Sequence, residues 1–274
     1  MDKNINSNGF GYMDKEINSN GFGFVDLDLP SGTLWATSNV GASKPSDIGL
    51  YFQWGDVQGC TAEQVGAGEG KKAFTCDDYK WKWHNTKINI KYTITGMALE
   101  LEDDAANANM GGDWHMPSPE QIRELLDNTT STWETVDGVN GMKFTSKKDP
   151  FKSIFVPAAG YAWGGFVHYR GSYGNVRSSM LDTYAFSYGQ GLFFDSGSAY
   201  LGSNNRYVGR SVRGVIDKNS VNLSELIKNE IKNHFKVKVS ADYGGYVNVE
   251  LLYDDEVISS DVCQVITDFN SLDE

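Results

Sequence analysis

Between residues 160 and 210 the chain has no lysine and no glutamate, although the whole protein carries 24 Lys and Arg and 36 Asp and Glu. That gap argues against an ordinary solvated surface for the stretch, because Lys and Glu dominate such surfaces and are depleted at binding interfaces. Cysteine is scarce as well. Cys60, Cys76 and Cys263 are an odd set at spacings that fit no metal motif; Cys60 and Cys76 either pair across a loop or stay reduced. The histidines are His84, His115, His168 and His234, none in an HExxH or two-His-one-carboxylate pattern. His115, inside Trp114-His115-Met116-Pro117, reads as structural. There is no phosphate loop and no dinucleotide fingerprint, and Ser178-Ser179 lacks the glycine elbow of a hydrolase.

No apolar run approaches the length of a membrane span, and the first 24 residues have neither a basic n-region nor an apolar h-region. Signal-directed export and a membrane partner are therefore not expected. A net charge of −12 argues against duplex DNA and anionic membranes as partners. No cofactor and no metal are expected. The acidic run Glu100, Glu102, Asp103 and Asp104 is either a Ca²⁺ site or a solvated helix face, and the second accounts for it better.

What is present points elsewhere. The chain is 40% apolar and 13% aromatic, which suits a globular protein. Seven of the 14 tyrosines fall within 160–210: Tyr161, Tyr169, Tyr173, Tyr184, Tyr188, Tyr200 and Tyr207. Ten Gly and seven Ser accompany them, a paratope-like mixture of rigid aromatics and adaptable hydrogen-bonders. The competing reading is a Tyr-rich sheet core.

The sequence divides into three parts. Residues 1–24 are a tandem duplication of MDKNINSNGFGY as MDKEINSNGFGF, too few copies for a solenoid and rich enough in Asn, Ser and Gly to be flexible. Residues 25–216 read as one α+β domain. Strand-like runs cover Thr33–Ala36, Lys87–Thr93, Met142–Thr145 and Ile154–Val156. Ser118, Pro119 and Gln121 form an N-cap, N1 proline and capping box for a helix with Ile122, Leu125 and Leu126 on one face. A weaker helical stretch spans Gly96–Asn109. Trp35, Trp54, Trp114 and Trp133 read as core, whereas Trp81 and Trp83 alternate with Lys as on an edge strand. Residues 217–274 read as a small α+β appendage: a helix from Asn222 to Phe235, then Val237 and Val239 paired with Val247, Val249 and Leu251 across a turn at Tyr243–Tyr246.

Several blocks occur in a recognisable order: Val25-Asp26-Leu27-Asp28-Leu29-Pro30-Ser31-Gly32-Thr33-Leu34-Trp35-Ala36, Asn39-Val40-Gly41-Ala42, Tyr51-Phe52-Gln53-Trp54-Gly55, Gly111-Gly112-Asp113-Trp114-His115-Met116-Pro117-Ser118, Phe155-Val156-Pro157-Ala158-Ala159-Gly160-Tyr161 and Asn205-Arg206-Tyr207-Val208-Gly209-Arg210-Ser211-Val212-Arg213. Over residues 25–216 the series resembles the major paralogous domain described from Fibrobacter and found in Bacteroidetes and their phages. The resemblance implies a C-type-lectin-like fold, of the formylglycine-generating-enzyme branch, with short strands, two helices and long loops. Its closing stretch is similar to the variable region of proteins diversified by retroelements, with Gly174-Asn175-Val176-Arg177-Ser178-Ser179 where the family has Gly-x-Tyr-Trp-Ser-Ser. No Cys occurs between Cys76 and Cys263, so the oxidase cysteines of fold relatives are missing.

The resemblance implies a non-enzymatic receptor-binding protein. Its expected face comprises Phe166, His168, Tyr169, Tyr173, Asn175, Val176, Arg177, Asp182, Tyr184, Tyr188, Phe193, Asp195, Tyr200, Tyr207 and Arg210. Leu192 and Phe194 are expected to pack inward, Phe193 and Asp195 outward, and Arg213 to hold the fold through an ion pair or carbonyl contacts. The expected partner is a bacterial surface protein or glycan. The expected setting is a phage tail, with the terminal segments attached to other virion proteins and a homo-oligomer, a trimer among the options. The alternatives are a fixed adhesin or glycan-binding protein on a bacterial surface, and a glycan-processing enzyme using Asp182 and Asp195 as paired carboxylates.

Overall fold

The computed structural model describes residues 16–17, 21–81, 91–93, 97–221, 235–241, 246–253 and 256–264. These residues build a β-rich α+β protein of small antiparallel sheets, in two compact units, 1–220 and 221–274.

The first unit opens with β1 (Glu16–Ile17), β2 (Gly23–Asp26) and β3 (Thr33–Ala36), followed by α1 (Ala105–Met110) and α2 (Pro119–Asn128). A meander follows, β4 (Thr129–Val136), β5 (Val139–Ser146) and β6 (Ser153–Pro157), then a short hairpin of β7 (Tyr161–Trp163) and β8 (Phe166–His168). A second sheet is ordered β11-β10-β9, made by β9 (Tyr173–Leu181), β10 (Tyr188–Asp195) and β11 (Ala199–Asn205). The unit closes with β12 (Val215–Asp217), which returns to pair with β3.

Local sequence explains the elements. Asp137 and Gly138, with φ of 50° and 79°, form the two-residue turn that sets Val136 opposite Val139. At α2, the Ser118 hydroxyl accepts from the Gln121 amide and the Gln121 side chain accepts from the Ser118 amide, the expected capping box. The 96–109 helical stretch is shorter than its composition suggests. Asp104 caps the helix only at Ala105, and Gly111, at φ 70°, ends it. Residues 91–93 are irregular rather than strand, and the rest of 87–90 lies outside the described residues.

Ile122 and Leu125 of α2 pack with Met142, Phe144, Ile154, Val156, Val176, Leu192 and Phe194, the main core. Burying each of these large side chains contributes roughly 1.5–3 kcal/mol. Trp35, Trp54 and Trp114 are fully buried, and Trp133 is half-buried at the core's edge. Trp81 sits in a turn, packed on the Trp54 cluster rather than on a strand; Trp83 lies outside the described residues.

Of the acidic run only Glu100 and Glu102 are solvated. Asp103 is buried and accepts from Lys80, Lys91 and the Tyr92 hydroxyl, while Asp104 accepts from the amides of Ala106, Asn107 and Met116. Burial opposes ionisation of Asp103, but those three donors together hold its carboxyl below the usual range. Cys60 and Cys76 are free thiols.

The second unit is the antiparallel sheet β13 (Phe235–Ala241), β14 (Tyr246–Tyr253) and β15 (Glu256–Gln264), with Val239 opposite Val249 as the alternation suggests. The expected 222–235 helix, up to residue 234, and the turn residues 242–245 lie outside the described residues.

Candidate functional site

The two faces of the β9–β10 sheet part company by strict alternation. Val176, Leu192 and Phe194 enter the core. On the other face, register places Phe193 opposite both Asn175 and Tyr200, and Asp195 opposite Tyr173.

That second face is not open along its whole length. The chain 205–211 crosses it, with a parallel bridge between Val176 and Ser211. Arg177 is thereby sealed in, 1% exposed, and its Nη2 donates to the carbonyls of Asn205, Arg206 and Val208. Asn175, also 1% exposed, donates to the Gly160 carbonyl. Five residues expected on a solvent-facing patch are therefore buried: Asn175, Val176, Arg177, Phe193 and Arg210. Val176 belongs to the core face, and the other four lie beneath the crossing chain or beneath rings. Phe193 does point away from the core as expected, but Tyr200 stacks on it at 5.9 Å and 15° and the Arg210 guanidinium caps it at 4.8 Å.

Beside the crossing chain lies a groove of about 550 Å³. Its wall is the β7–β8 hairpin and the turn after it, which supply Tyr161, Trp163, Tyr169 and Tyr173. The opposite side brings Asp195, Asn204, Asn205 and Tyr207. Arg210 lies at the floor, 1% exposed.

Rings run continuously across this face. His168 stacks on Tyr161 at 5.3 Å and lies 5.8 Å from Trp163 and 6.4 Å from Phe166. Tyr161 then meets Tyr169 at 5.9 Å and Tyr173 at 6.4 Å, and Tyr173 meets Phe193 at 6.3 Å. The His168 Nε2 donates to the Trp163 carbonyl at 3.0 Å, which fixes the ring's orientation. Trp163 (48% exposed) and Tyr169 (65%) present their faces to solvent.

Two backbone features hold the wall. Tyr169 has φ 54°, a left-handed conformation uncommon for a bulky residue, and its carbonyl accepts from Ser172 and Tyr173 amides. Gly160 has φ 67°, and a Cβ there would stand 2.0 Å from the His168 carbonyl oxygen. Only glycine fits that approach.

Electrostatically the groove is unusual for so acidic a chain. Arg177, Arg206, Arg210 and Arg213 are all buried, and none has a carboxylate partner among the described residues. Arg213 donates through Nε to the Asn39 side-chain oxygen, so its fold-holding role comes from an amide rather than an ion pair. Burial, with no carboxylate to offset it, lowers Arg210 to about 10 and Arg213 to about 9. Burial raises the Tyr173 phenol to about 12, and its hydroxyl interacts with Arg210 and Tyr200.

Of the expected face, Tyr169, Tyr173, Asp195, Tyr207 and Arg210 meet at the groove. Phe166, His168, Phe193 and Tyr200 join them through ring contacts. Asp182, Tyr184 and Tyr188 gather instead at the far end of the sheet, where Asp182 accepts from the Tyr184 and Ala185 amides and from Ser203. Asp195, seven residues along β10 from Tyr188, is thus roughly 20 Å from Asp182 at about 3.3 Å per residue. Paired glycosidase carboxylates stand about 5–9.5 Å apart. These two are not a pair. Tyr161, Trp163, Asn204 and Asn205 were not anticipated. The alternation Tyr161-Ala162-Trp163 before Gly164-Gly165 is the signal for the first two, since it puts both rings on one side of a hairpin.

No family model, no curated protein and no solved structure matches the chain. Among the described residues no group of His, Cys, Asp and Glu is placed to hold a metal ion, and no helix is long and apolar enough to cross a membrane.

Proposed function

We propose that the protein is a non-enzymatic ligand-binding protein whose groove recognises a molecule on a bacterial surface. The observation that carries this reading is the exposed ring wall. Trp163, Tyr169 and their neighbours leave a concave aromatic surface open beside a few convergent polar groups, the make-up of a binding site. Rigid aromatics give contact area at low entropic cost, and Tyr and Trp are favoured as binding hot spots.

On this reading residues 25–216 form a C-type-lectin-like domain of the major paralogous type. The ordered motif series and the full burial of its Trp35, Trp54 and Trp114 support that assignment. Retroelement diversification would act on the groove's open positions and spare the buried ones. A phage tail is the proposed setting, with a homo-oligomer anchored through the terminal segments.

The test is binding of the full chain to bacterial cells and to surface glycans, with and without Trp163→Ala/Tyr169→Ala. The pair should weaken binding by about 1–3 kcal/mol per ring while leaving the melting temperature within a few degrees. Undiminished binding by the double variant would remove the groove from the reading.

A further inference from the structure

The groove's charge narrows the ligand class, an inference that rests on the binding reading above. Its lining holds one cation, Arg210. Arg206 donates to the Tyr79 hydroxyl and to the Tyr92 and Phe186 carbonyls, and Arg177 to three carbonyls. Arg210 has only the Tyr173 hydroxyl, and its Nε and Nη1 have no partner. Arg177 and Arg213 each also leave two nitrogens without a partner, but neither lines the groove.

A buried guanidinium with no counter-charge is costly, and a carboxylate brought into the same low-dielectric site recovers part of that cost. Arg210 keeps its proton at neutral pH, so the potential at the groove floor is positive. Low-dielectric ring walls focus that potential outward. The Arg210 nitrogens are themselves sealed, so the attraction acts through the field of the charge rather than through a bidentate contact.

The rest of the groove describes the body of the ligand. Tyr161, Trp163 and Tyr169 offer apolar faces, while the Asn204 and Asn205 amides and the Asp195 carboxylate offer donors and acceptors for hydroxyl groups. Asp195 uses Oδ1 on the Gly197 and Ser198 amides and leaves its charge at the rim. A densely charged polyanion would be repelled there. One negative charge, several hydroxyls and a flat apolar face together describe an acidic sugar.

We propose that the groove binds a carboxylate-bearing sugar residue of a surface glycan, its carboxylate drawn to Arg210 and its ring lying on the Tyr161–Trp163–Tyr169 wall. The geometry favours this over an acidic peptide, because the polar groups flank the ring faces as the hydroxyls of a stacked sugar would require.

The experiment titrates the full chain, by tryptophan fluorescence, with galacturonate, its methyl ester, sialyllactose, lactose and a sulfated disaccharide. At least one carboxylate sugar should bind at least about tenfold tighter than its neutral counterpart, and Arg210→Gln should remove that preference. If Arg210→Gln does not fold, the acid–ester comparison on the wild-type chain decides alone. Equal binding of acid and neutral sugars, abolished by Trp163→Ala, overturns the charge selection and leaves the binding reading intact. So does binding confined to the sulfated sugar, which overturns the carboxylate. Binding to bacterial cells without binding any of the sugars overturns the sugar assignment alone, and no binding to cells or sugars overturns both readings.

Discussion

Arg206 and Arg210 stand four residues apart, and each guanidinium lies between two aromatic rings. Arg206 sits 4.7 Å from the Trp54 ring and 5.5 Å from Tyr79; Arg210 sits 4.8 Å from Phe193 and 5.4 Å from Tyr161. The parts are alike, but the surroundings are not. Around Arg206 the chain closes: Trp54, Tyr79 and Tyr92 are buried, and two backbone carbonyls and a phenol accept its hydrogen bonds. Around Arg210 the rings open onto a groove. The same residue types thus make a fastening in one place and a receptive surface in the other, and the difference lies in whether backbone acceptors are within reach.

Trp54→Ala should give the largest effect, a loss of about 3–5 kcal/mol of unfolding free energy in urea titration, because it empties the closed cluster. Ligand affinity of the folded fraction should hold. Phe193→Ala should cost about 3 kcal/mol and weaken binding too, since Tyr200 and Arg210 lose their support. A binding defect with unchanged stability would return Phe193 to the open surface.

Alkaline titration separates the clusters spectroscopically. Burial raises Tyr92 and Tyr173 to about 12 and Tyr79 further still. The folded protein holds these protons where the unfolded chain releases them near pH 10. The phenols' contribution to stability is therefore complete below pH 10 and lost as pH rises through about 12. Phenolate absorbance should show these tyrosines ionising last, together with Tyr51, which burial also raises to about 12. Tyr79, in the closed cluster, should ionise after Tyr173 at the groove; the reverse order would dissolve the distinction. The smallest effect belongs to Tyr184→Ala, a side chain 98% exposed at the far end of the sheet. Its stability should change by less than about 0.5 kcal/mol and its binding not at all.

Much of this was legible in the sequence. The α2 capping box and the two-sided alternation of β10 follow from local rules, whereas the inward side of Leu192 and Phe194 and the core place of Trp35, Trp54 and Trp114 rest on the resemblance. The Tyr-rich window marked the groove region as well as part of its floor. What alternation could not reveal was the segment 205–211 lying over the outer face, a contact between residues about 30 positions apart. It turns Asn175 and Arg177 from display into packing. A residue's side of a strand is written locally; whether that side meets water depends on what crosses it.

The short sheet at the unit's two ends has a mechanical meaning. β2 and β12 flank β3, with Val25 and Val215 both opposite Trp35; β1 pairs on the outer side of β2, and the chain runs into β2 at one end of the sheet and out of β12 at the other. Tension on the chain beyond Gly23 and Asp217 would pull these strands past one another. The hydrogen bonds would share the load in shear instead of opening one by one. None of the residues lining the groove belongs to that path, so a tether could be drawn taut without distorting what it holds.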